Sequence, residues 1–357
     1  MQRRELLQGA LASAAISLAA PLRADESKTR PIKCGQIGTK HAHASGQMAT
    51  MRNYPKHFEV VGAVEPDAAQ RQRVADHESY RGLKWMTEEQ LLNAPGLELV
   101  AVETAIKDLL PTARRCVDAG KHIHLDKPAG ESMSALQKLH ASADRQDLMI
   151  QMGYMFRYNP GFLFLFRAAR EGWLGDVFEV HGVISKTVNA ESRQRLAVYP
   201  GGSLFELGCH LLDPLFHLMG PSDRVTGYVR NTRPQQDVLN DNMLAVFEYP
   251  RATATIRSAL VEVDGERRRQ FVVCGDRGTI VIRPLEAPKM ELTLAEPHGG
   301  YEKGTRLVTL PTSPGRYDGA FMDIYRVIRG EKNNDFSHEH DLAVQHALLE
   351  ACHLPMR

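Results

Sequence analysis

Between about Pro31 and Gly153, short apolar runs alternate with longer segments that have helical periodicity. The apolar runs are IKCGQIG, FEVVGAVEPD, LKWMT, LELVAVET and HIHLDKP, and the segments between them include EEQLLNAP and LLPTARRCVDAG. Short strands rich in Val and Ile, separated by helices, are typical of βαβ units and a parallel sheet. Their order and lengths predict an α/β fold that begins with a Rossmann dinucleotide-binding domain over residues 31–152.

The pattern changes after Gly153, where predicted strands follow one another from VFEVHGVISKTV to TRLVTL with only short turns between them. One such turn is Gly275-Asp276-Arg277-Gly278, and helical segments at 319–328 and 341–352 close the chain. Successive strands joined by short turns indicate antiparallel pairing. We therefore predict a C-terminal α+β domain over residues 153–357 with a large, mainly antiparallel open sheet, and a ligand site in the cleft between the domains.

The N-terminal stretch MQRRELLQGALASAAISLAAPLRA departs from this pattern. Arg3 and Arg4 precede an apolar run of small residues, and Ala24 follows as a plausible cleavage point. An ordinary amphipathic helix is disfavoured because no polar face recurs, and the run is short for a membrane span. Residues 1–24 are predicted to be a twin-arginine signal peptide, which implies export to the periplasm by the twin-arginine route and no membrane attachment after its removal.

Composition narrows the class of ligand. The 357 residues include 44 Lys+Arg against 43 Asp+Glu, so the charges nearly cancel and no nucleic-acid surface is expected. A small neutral or weakly charged molecule is the favoured partner. The five cysteines are scattered and contain no CxxC pair, so they outline neither a disulfide framework nor a zinc knuckle.

The first predicted strand ends in GQIGTKHAHASG, where a dinucleotide-binding fold has closely spaced glycines. Glycines there let backbone N–H groups and the helix N-terminus approach a pyrophosphate. The fingerprint aligned on Gly38 has Lys40 and His43 at the second and third glycine positions. The predicted cofactor-binding residues of this loop are Gly35, Ile37, Gly38, Thr39, Lys40, His41 and His43.

Glu65 ends the second predicted strand in GAVEPD. A carboxylate there would bind the adenosine ribose hydroxyls and repel a 2′-phosphate, which favours NAD over NADP. The alternative is a strand-end acid in a turn, with Asp67 as the competing ribose ligand.

Three histidine pairs, His41/His43, His122/His124 and His338/His340, raise the question of a metal ion. Residues two apart on a strand share a face without necessarily converging, and no HExxH motif or Cys cluster accompanies them. We therefore predict no metal site.

Two further stretches contain candidate catalytic residues. HLDKP places Lys127 at the carboxyl edge of the parallel sheet, where ligands bind, with an X-Pro bond after it that can be cis. The alternative is that Lys127 is a solvent-exposed lysine at the end of a strand, without a role in ligand binding.

GGSLFELGCHLLD spaces Glu206, His210 and Asp213 by four and three residues, which places all three on one face of a helix. A carboxylate one turn from a histidine orients its ring and raises its basicity. Alternatively, the three form the solvated side of an amphipathic helix. Asp213 is also a candidate N-cap for a turn that begins at Pro214.

Taken in order, these motifs resemble the Gfo/Idh/MocA family of NAD(P)-dependent sugar and polyol oxidoreductases, over roughly Ile32 to Cys352. AGKHIHLDKP looks like the family's strand that ends in Glu-Lys-Pro, with Asp126 for Glu. GYMFRYNP resembles its Arg-aromatic-Asn-Pro segment, and LFELGCHLLD is similar to its Asp-x-x-x-His-x-x-Asp helix, with Glu206 for the first Asp.

The resemblance implies roles for these residues. Lys127 would assist proton transfer at the reacting hydroxyl, His210 would be the general base, Glu206 would orient His210, and Asp213 would support the substrate site. The remaining implied site residues are Thr104 and Asp126 near the cofactor, Arg157 and Asn159 at the cleft or packed at the domain junction, and Tyr199 as a substrate-selecting residue. Glu103 is an unusual acid beside a nicotinamide pocket.

The family resemblance further implies NAD as cofactor, with NADP less favoured, and a homo-oligomer formed through the open sheet. Three hypotheses of function follow. The first is an oxidoreductase that keeps its cofactor and acts on a sugar or polyol. The second is a glycoside hydrolase or lyase that oxidises its substrate transiently with NAD. The third is a non-catalytic sugar-binding protein on a dehydrogenase scaffold.

Overall fold

Five short strands form a parallel sheet in the first part of the chain, in the order β2-β1-β3-β4-β5. Val, Ile and Leu side chains dominate them, and β3 and β5 are buried along their whole length, as expected of strands covered by helices on both faces. The strands are β1 (Ile32–Ile37), β2 (Phe58–Val64), β3 (Leu99–Val102), β4 (His122–Leu125) and β5 (Ile150–Met152). The predicted Rossmann-type sheet is confirmed.

The helices between these strands are α1 (Ala44–Asn53), α2 (Ala68–Val74), α3 (Glu88–Leu92), α4 (Ile106–Asp118) and α5 (Met133–Asp144). Local sequence explains their starts: Thr87 and Gln90 form a reciprocal capping box at α3, and Ser132 caps α5. One strand prediction was wrong. LKWMT makes only an isolated bridge between Trp85 and Ala63, because its neighbours on both sides turn away from the sheet.

The computed structural model describes residues 30–286, 288–312 and 315–356. The predicted signal peptide, residues 1–24, lies outside these ranges and stays a prediction. Within them, no helix has both the length and the apolar composition needed to cross a membrane.

Eight strands form the second sheet, in the order β13-β12-β11-β10-β6-β9-β8-β7. All neighbours pair antiparallel except β6 and β9, which are parallel. The strands are β6 (Val177–Ser185), β7 (Arg224–Arg230), β8 (Asn242–Tyr249), β9 (Ala252–Ala259), β10 (Gln270–Gly275), β11 (Gly278–Ile282), β12 (Met290–Leu294) and β13 (Gly304–Val308). This confirms the mainly antiparallel open sheet.

Helices cover one face of this sheet: buried residues such as Phe271 and Val273 of β10 alternate with half-buried ones on the other face. The helices of the second part are α6 (Pro160–Arg170), α7 (Ala190–Leu196), α8 (Cys209–Met219), α9 (Asp318–Ile328) and α10 (His338–Ala351), and a π-helical turn, Leu204–Gly208, leads directly into α8.

The end of the chain returns to the first sheet. Phe321, Ile324 and Tyr325 of α9 join the buried cluster formed by β1, β2 and α1. Asp318 accepts hydrogen bonds from Thr50 Oγ1 at 3.2 Å and Tyr54 Oη at 2.8 Å. The first domain therefore has a core that residues from both ends of the chain complete.

Two core histidines are held neutral by this packing. Burial lowers the pKa of His124 to about 4 and that of His140 to about 3. Neither ring nitrogen of His140 has a hydrogen-bond partner, and its ring lies 4.3 Å from that of His338. In the unfolded chain both would titrate near an ordinary pKa of about 6.5.

This difference predicts an acid-sensitive fold. Below about pH 6.5 the unfolded chain binds more protons than the folded one, so stability is full above that pH and falls as the pH is lowered. Each histidine should cost about 2 kcal/mol of unfolding free energy between pH 8 and pH 5. In urea unfolding at the two pH values, His140→Leu should shrink the pH-dependent loss by about 2 kcal/mol. His346→Gln, at a half-exposed histidine, is the control and should not. Equal losses in the wild type and His140→Leu would contradict the prediction.

Candidate active site

The loop after β1 crosses the carboxyl edge of the sheet between β2 and β3, the topological switch point where such folds bind ligands. Gly38 has a φ of +92°, and a Cβ there would lie 2.6 Å from Thr104 N and 2.7 Å from Glu103 O. Only glycine fits this crossing. His41 N donates to Glu103 O at 3.1 Å, and α1 begins at Ala44 with no side-chain cap. The uncapped helix start leaves amides available to an anion.

Glu65 braces this loop from inside the protein. Its carboxylate accepts from Thr39 N at 2.9 Å, Thr39 Oγ1 at 2.7 Å and Asp67 N at 3.1 Å. The predicted role in ribose binding is corrected, because this buried carboxylate is already satisfied by three protein donors. Lys40 does not lie over the loop amides: its Nζ pairs with Asp67 at 2.9 Å on the surface.

Two histidines of the loop converge on one carboxylate. His41 Nδ1 lies 2.7 Å from Asp126 Oδ2, and His43 Nδ1 lies 3.1 Å from Asp126 Oδ1. Lys127 N and Gln47 Nε2 also donate to Asp126, at 2.7 and 3.2 Å. Histidines two apart on a strand need not converge, but His41 and His43 do, because a turn before α1, and not a strand, carries them. The other two pairs do not converge: His122 accepts from Met149 N, His124 contacts Gln151, His338 pairs with Asp144 and His340 with Asp213.

Glu103 stands beside this group at the end of β3. It is fully buried, neither carboxylate oxygen has a hydrogen-bond partner, and Oε2 lies 3.8 Å from His41 Nδ1. Burial and the charge of Asp126 raise the pKa of Glu103 well above its ordinary value. Burial alone would raise the pKa of Asp126 as well, but His41 and His43 bring it well below its ordinary value. One carboxylate of the pair is therefore ionised and the other protonated.

Lys127 follows β4 at the carboxyl edge of the sheet, where it is buried instead of solvated, and the bond to Pro128 is cis. Its Nζ donates to the Glu206 carbonyl at 2.6 Å and lies 3.6 Å from the Glu206 carboxylate, which Lys186 approaches to 3.7 Å from the other side. Burial alone would lower the pKa of Lys127, but the charge of Glu206 outweighs it and the pKa is raised. Lys127 is therefore an ammonium at neutral pH.

His210 lies at the crevice without the predicted partner. Its Nδ1 accepts from Met155 N at 3.3 Å, and its ring centroid is 5.7 Å from that of His43. Burial, assisted by the charge of Lys127, lowers the pKa of His210 well below its ordinary value, so the ring is neutral. The prediction that Glu206 orients His210 is corrected. Glu206 lies in the π-helical turn, whose wider winding breaks the i,i+4 alignment and turns its carboxylate toward the lysines.

Asp213 and Arg157 form a separate buried ion cluster. Arg157 donates to Asp213 Oδ1 at 2.7 Å through Nη2 and at 3.1 Å through Nε, and it also pairs with Asp341. His340 Nε2 contacts Asp213 Oδ1 at 2.9 Å. Arg157 and Asp213 are bonded to one another inside the protein, so both belong to this cluster, and Asp213 lies inside α8 instead of capping a turn. The cluster joins α8 and α10 to the segment before α6.

The remaining predicted substrate residues differ in their placement. Asn159 is the N-cap of α6: its Oδ1 accepts from Gly161 N at 2.9 Å and its Nδ2 donates to Leu285 O at 3.0 Å. Of the two alternatives that the sequence left open, cleft or packing, these bonds favour a packing role. Tyr199 is partly buried near the start of α4, and burial raises its pKa. Thr104 donates to Ala105 O and passes beneath Gly38, at the position expected of a cofactor neighbour.

Sequence reasoning missed two residues at this site. Lys186 follows β6 and shares Glu206 with Lys127. Tyr317 precedes α9, and its ring lies 5.6 Å from that of His43 and against Gly46. No local pattern marks either residue, since each reaches the crevice only through the packing of the second domain.

Two protein-family models match the chain. Residues 32–154 match the oxidoreductase family model with an NAD-binding Rossmann fold, and residues 162–281 match the GFO/IDH/MocA C-terminal domain. The two matched ranges together cover about two thirds of the chain.

Curated relatives are distant. The uncharacterized oxidoreductase YdgJ of Escherichia coli is 26% identical over 69% of this chain and 75% of its own length. The scyllo-inositol 2-dehydrogenase (NADP(+)) IolW of Bacillus subtilis is 26% identical over 50% of this chain and 51% of its own length, so the match spans about half of that relative.

Solved structures share the fold. A levoglucosan dehydrogenase in complex with NADH and levoglucosan superposes with a TM-score of 0.77 at 16% identity, over 90% of this chain and 97% of that chain. An aldose-aldose oxidoreductase from Caulobacter crescentus superposes with a TM-score of 0.75 at 18% identity, over 91% and 98%. Both likenesses concern the fold alone.

The Arg157 cluster predicts a large stability effect. Arg157→Leu leaves Asp213 and Asp341 buried without their cation, which should cost about 3–5 kcal/mol of unfolding free energy. Arg114→Gln, which removes an exposed i,i+4 pair with Asp118, is the control and should leave the unfolding free energy nearly unchanged. Urea unfolding at pH 7.5 measures both, and similar small losses in the two variants would refute a structural role for the cluster.

Proposed function

The chain belongs to the Gfo/Idh/MocA family of oxidoreductases, and on that premise we propose that it transfers hydride between a sugar or polyol hydroxyl and a nicotinamide cofactor that it retains. The observation that carries the proposal is the Lys127 ammonium, which the carbonyl and carboxylate of Glu206 hold at the carboxyl edge of the parallel sheet, next to His210. The family's domain is an NAD-binding Rossmann fold. The names of IolW and the levoglucosan and aldose enzymes support a sugar or polyol as the substrate class.

The loop after β1 fits a dinucleotide. Gly38 has the positive φ and the close approach to the next loop that a phosphate turn requires, and the start of α1 has no side-chain cap. Gly38, Thr39, the first amides of α1 and Thr104 would hold the cofactor. When bound, its nicotinamide supplies the carbon that takes or gives the hydride.

Charge around the end of β2 supports NAD over NADP. Glu65 and Asp67 place two carboxylates there against the single ammonium of Lys40. A 2′-phosphate brought to this position would meet a net negative charge. Lys40 is committed to Asp67, so it does not compensate both acids.

Lys127 is suited to donate to the reacting oxygen. An ammonium has three N–H bonds, and those directed at the Glu206 carbonyl and carboxylate leave the third for a substrate oxygen. When a carbonyl is reduced, the ammonium donates a proton from Nζ to the oxygen as the carbon takes the hydride, and Lys127 is left as a neutral amine. When a hydroxyl is oxidised, Lys127 first loses a proton to solvent, and its neutral amine then takes the hydroxyl proton as the hydride leaves.

His210 supplies a second donor. Because Nδ1 accepts the Met155 amide, the proton of the neutral ring is on Nε2. A neutral imidazole N–H polarises a carbonyl without carrying a charge of its own. We therefore assign His210 to binding and polarising the substrate oxygen, with Lys127 as the group that exchanges the proton.

The open face of the second sheet supports self-association, and we infer a homo-oligomer formed through it. Leu244 and Val246 of β8 lie on this face beside Tyr228 of β7, and Leu307 of β13 is 79% exposed. Apolar side chains exposed on a broad sheet face are typical of subunit interfaces.

Self-association predicts a mass in solution above that of one chain. Light scattering should detect an oligomer, and Val246→Arg should dissociate it because an arginine on the apolar face must be desolvated for the subunits to pair. Arg251→Glu, at an exposed turn, should leave the mass unchanged. A monomeric wild type would refute the oligomer.

The function is tested with the full chain. Protein purified without added nucleotide should contain NAD(H), and a panel of aldoses and polyols should reveal a substrate that changes nicotinamide absorbance at 340 nm in single turnover. Lys127→Met should lower kcat by at least about 100-fold with nucleotide affinity retained.

Lys121→Met is the matched control, since Lys121 precedes the opposite end of β4 and donates to Leu97 O. It should keep full activity. No nucleotide in the purified protein, with no binding of added NAD+ or NADP+, would refute the proposal. Release of free sugar without net NADH would favour glycoside cleavage with transient oxidation instead.

A further inference from the structure

Four polar side chains meet at the carboxyl edge of β1, β3 and β4: His41, His43, Asp126 and Glu103. One ligand atom each of His41, His43 and Asp126 lies within 4.8 Å of the other two, and Glu103 Oε2 lies 3.8 Å from His41 Nδ1. Both carboxylates are fully buried, and the histidine side chains are 6% and 12% exposed. The group is therefore a closed arrangement with one side, at His43, nearest to solvent.

The two ring nitrogens of His41 face a backbone carbonyl and a carboxylate. Its Nε2 lies 2.9 Å from the carbonyl oxygen of Lys127, which only accepts, so Nε2 carries the ring proton. In a neutral ring Nδ1 is then unprotonated, and it lies 2.7 Å from Asp126 Oδ2. Either a proton on Nδ1 or a metal ion between the two atoms is needed to hold them at that distance. A ring N–H held by a backbone carbonyl is also the usual outer contact of a metal-bound histidine.

Glu103 adds a second acidic group that lacks a donor. Neither of its oxygens has a hydrogen-bond partner. Lys127 follows Asp126 directly in the sequence, but its Nζ donates to the carbonyl oxygen of Glu206 and not to Asp126. Among the described residues, no Lys or Arg side chain forms an ion pair with Asp126 or Glu103. A divalent ion would take the place of the carboxyl proton of Glu103, neutralise both carboxylates and give Glu103 the partner it lacks.

A second group of metal-ligand type shows the contrast. Asp213, His340 and Asp341 also cluster, but the guanidinium of Arg157 lies among them and supplies the positive charge. The group around Asp126 has the same kinds of ligand atom, but no arginine of the described part of the chain lies among them to supply positive charge.

We propose that His41, His43, Asp126 and Glu103 form a binding site for one divalent transition-metal ion. Two imidazole nitrogens and carboxylate oxygens suit zinc, manganese or cobalt, whereas calcium and magnesium prefer oxygen alone. Bonds of about 2.0–2.1 Å require the 2.7 Å gap between His41 Nδ1 and Asp126 Oδ2 to open by roughly half an ångström. The site lies on the His210 side of the phosphate turn, so a bound ion would be a Lewis acid next to the substrate oxygen.

Metal binding is measured directly on the full chain, freed of metal by a chelator and then dialysed. Calorimetric titration with Zn²⁺ and Mn²⁺ should give one ion per chain, and Co²⁺ should produce a visible absorption band from nitrogen and oxygen ligands. His43→Gln and Asp126→Asn should each weaken binding by more than about tenfold. His340→Gln, a change in the cluster that contains Arg157, is the matched control and should bind as the wild type does.

Two results would refute the proposed metal site. The wild type would bind no Zn²⁺, Mn²⁺ or Co²⁺ at micromolar concentration, or both His43→Gln and Asp126→Asn would bind metal as the wild type does. Circular dichroism verifies that each variant is folded, and His43, the more exposed histidine, provides the test if Asp126→Asn fails to fold. The site does not rest on the proposed function. Metal binding without nucleotide binding would refute only the hydride-transfer proposal, and nucleotide binding without metal would refute only this one.

Discussion

A buried carboxylate must be given a counter-charge or enough donors, and this requirement organises the crevice and the domain junction alike. Asp126 takes two histidines, Glu206 takes two lysines, Asp213 takes Arg157, and Glu65 takes the donors of Thr39 and Asp67. Apart from the Asp67 amide, which is two positions from Glu65, the partners come from other elements of the fold. Since removing one partner would leave a charge stranded in a low-dielectric interior, these pairs fix how the loops and helices meet.

The same pairs separate the residues that can act from those that hold the protein together. Lys127 and His210 each have a donor that no residue of the site takes, whereas Arg157 and Asp213 are bonded to one another and Arg157 also to α10. Thus one helix, α8 with the π-helical turn before it, carries a crevice residue at its start and a structural ion pair one turn later.

The fold could be predicted from the sequence because it depends on the local periodicity of apolar residues. Apolar runs and short turns predicted both sheets, and the edge rule for parallel strands placed Lys127 and the loop after β1 together. LKWMT shows the limit, since an apolar run becomes a strand only if a neighbour pairs along its length. The partners of individual side chains were harder to predict from the sequence. The i,i+4 spacing of Glu206 and His210 assumed an α-helix, and the π-helical turn removed that alignment. Tyr317 and Lys186 could not be found, because their proximity depends on how the second domain packs.

The return of α9 to the first sheet has a consequence for the order of synthesis. Phe321 packs against Phe58, with ring centroids 5.8 Å apart, and Tyr325 packs against His57 at 4.7 Å. The outer surface of β1, β2 and α1 is thus covered by residues that are synthesised more than 250 positions later. The first domain cannot complete its core before α9 has been synthesised, and until then its apolar surface stays open to chaperones.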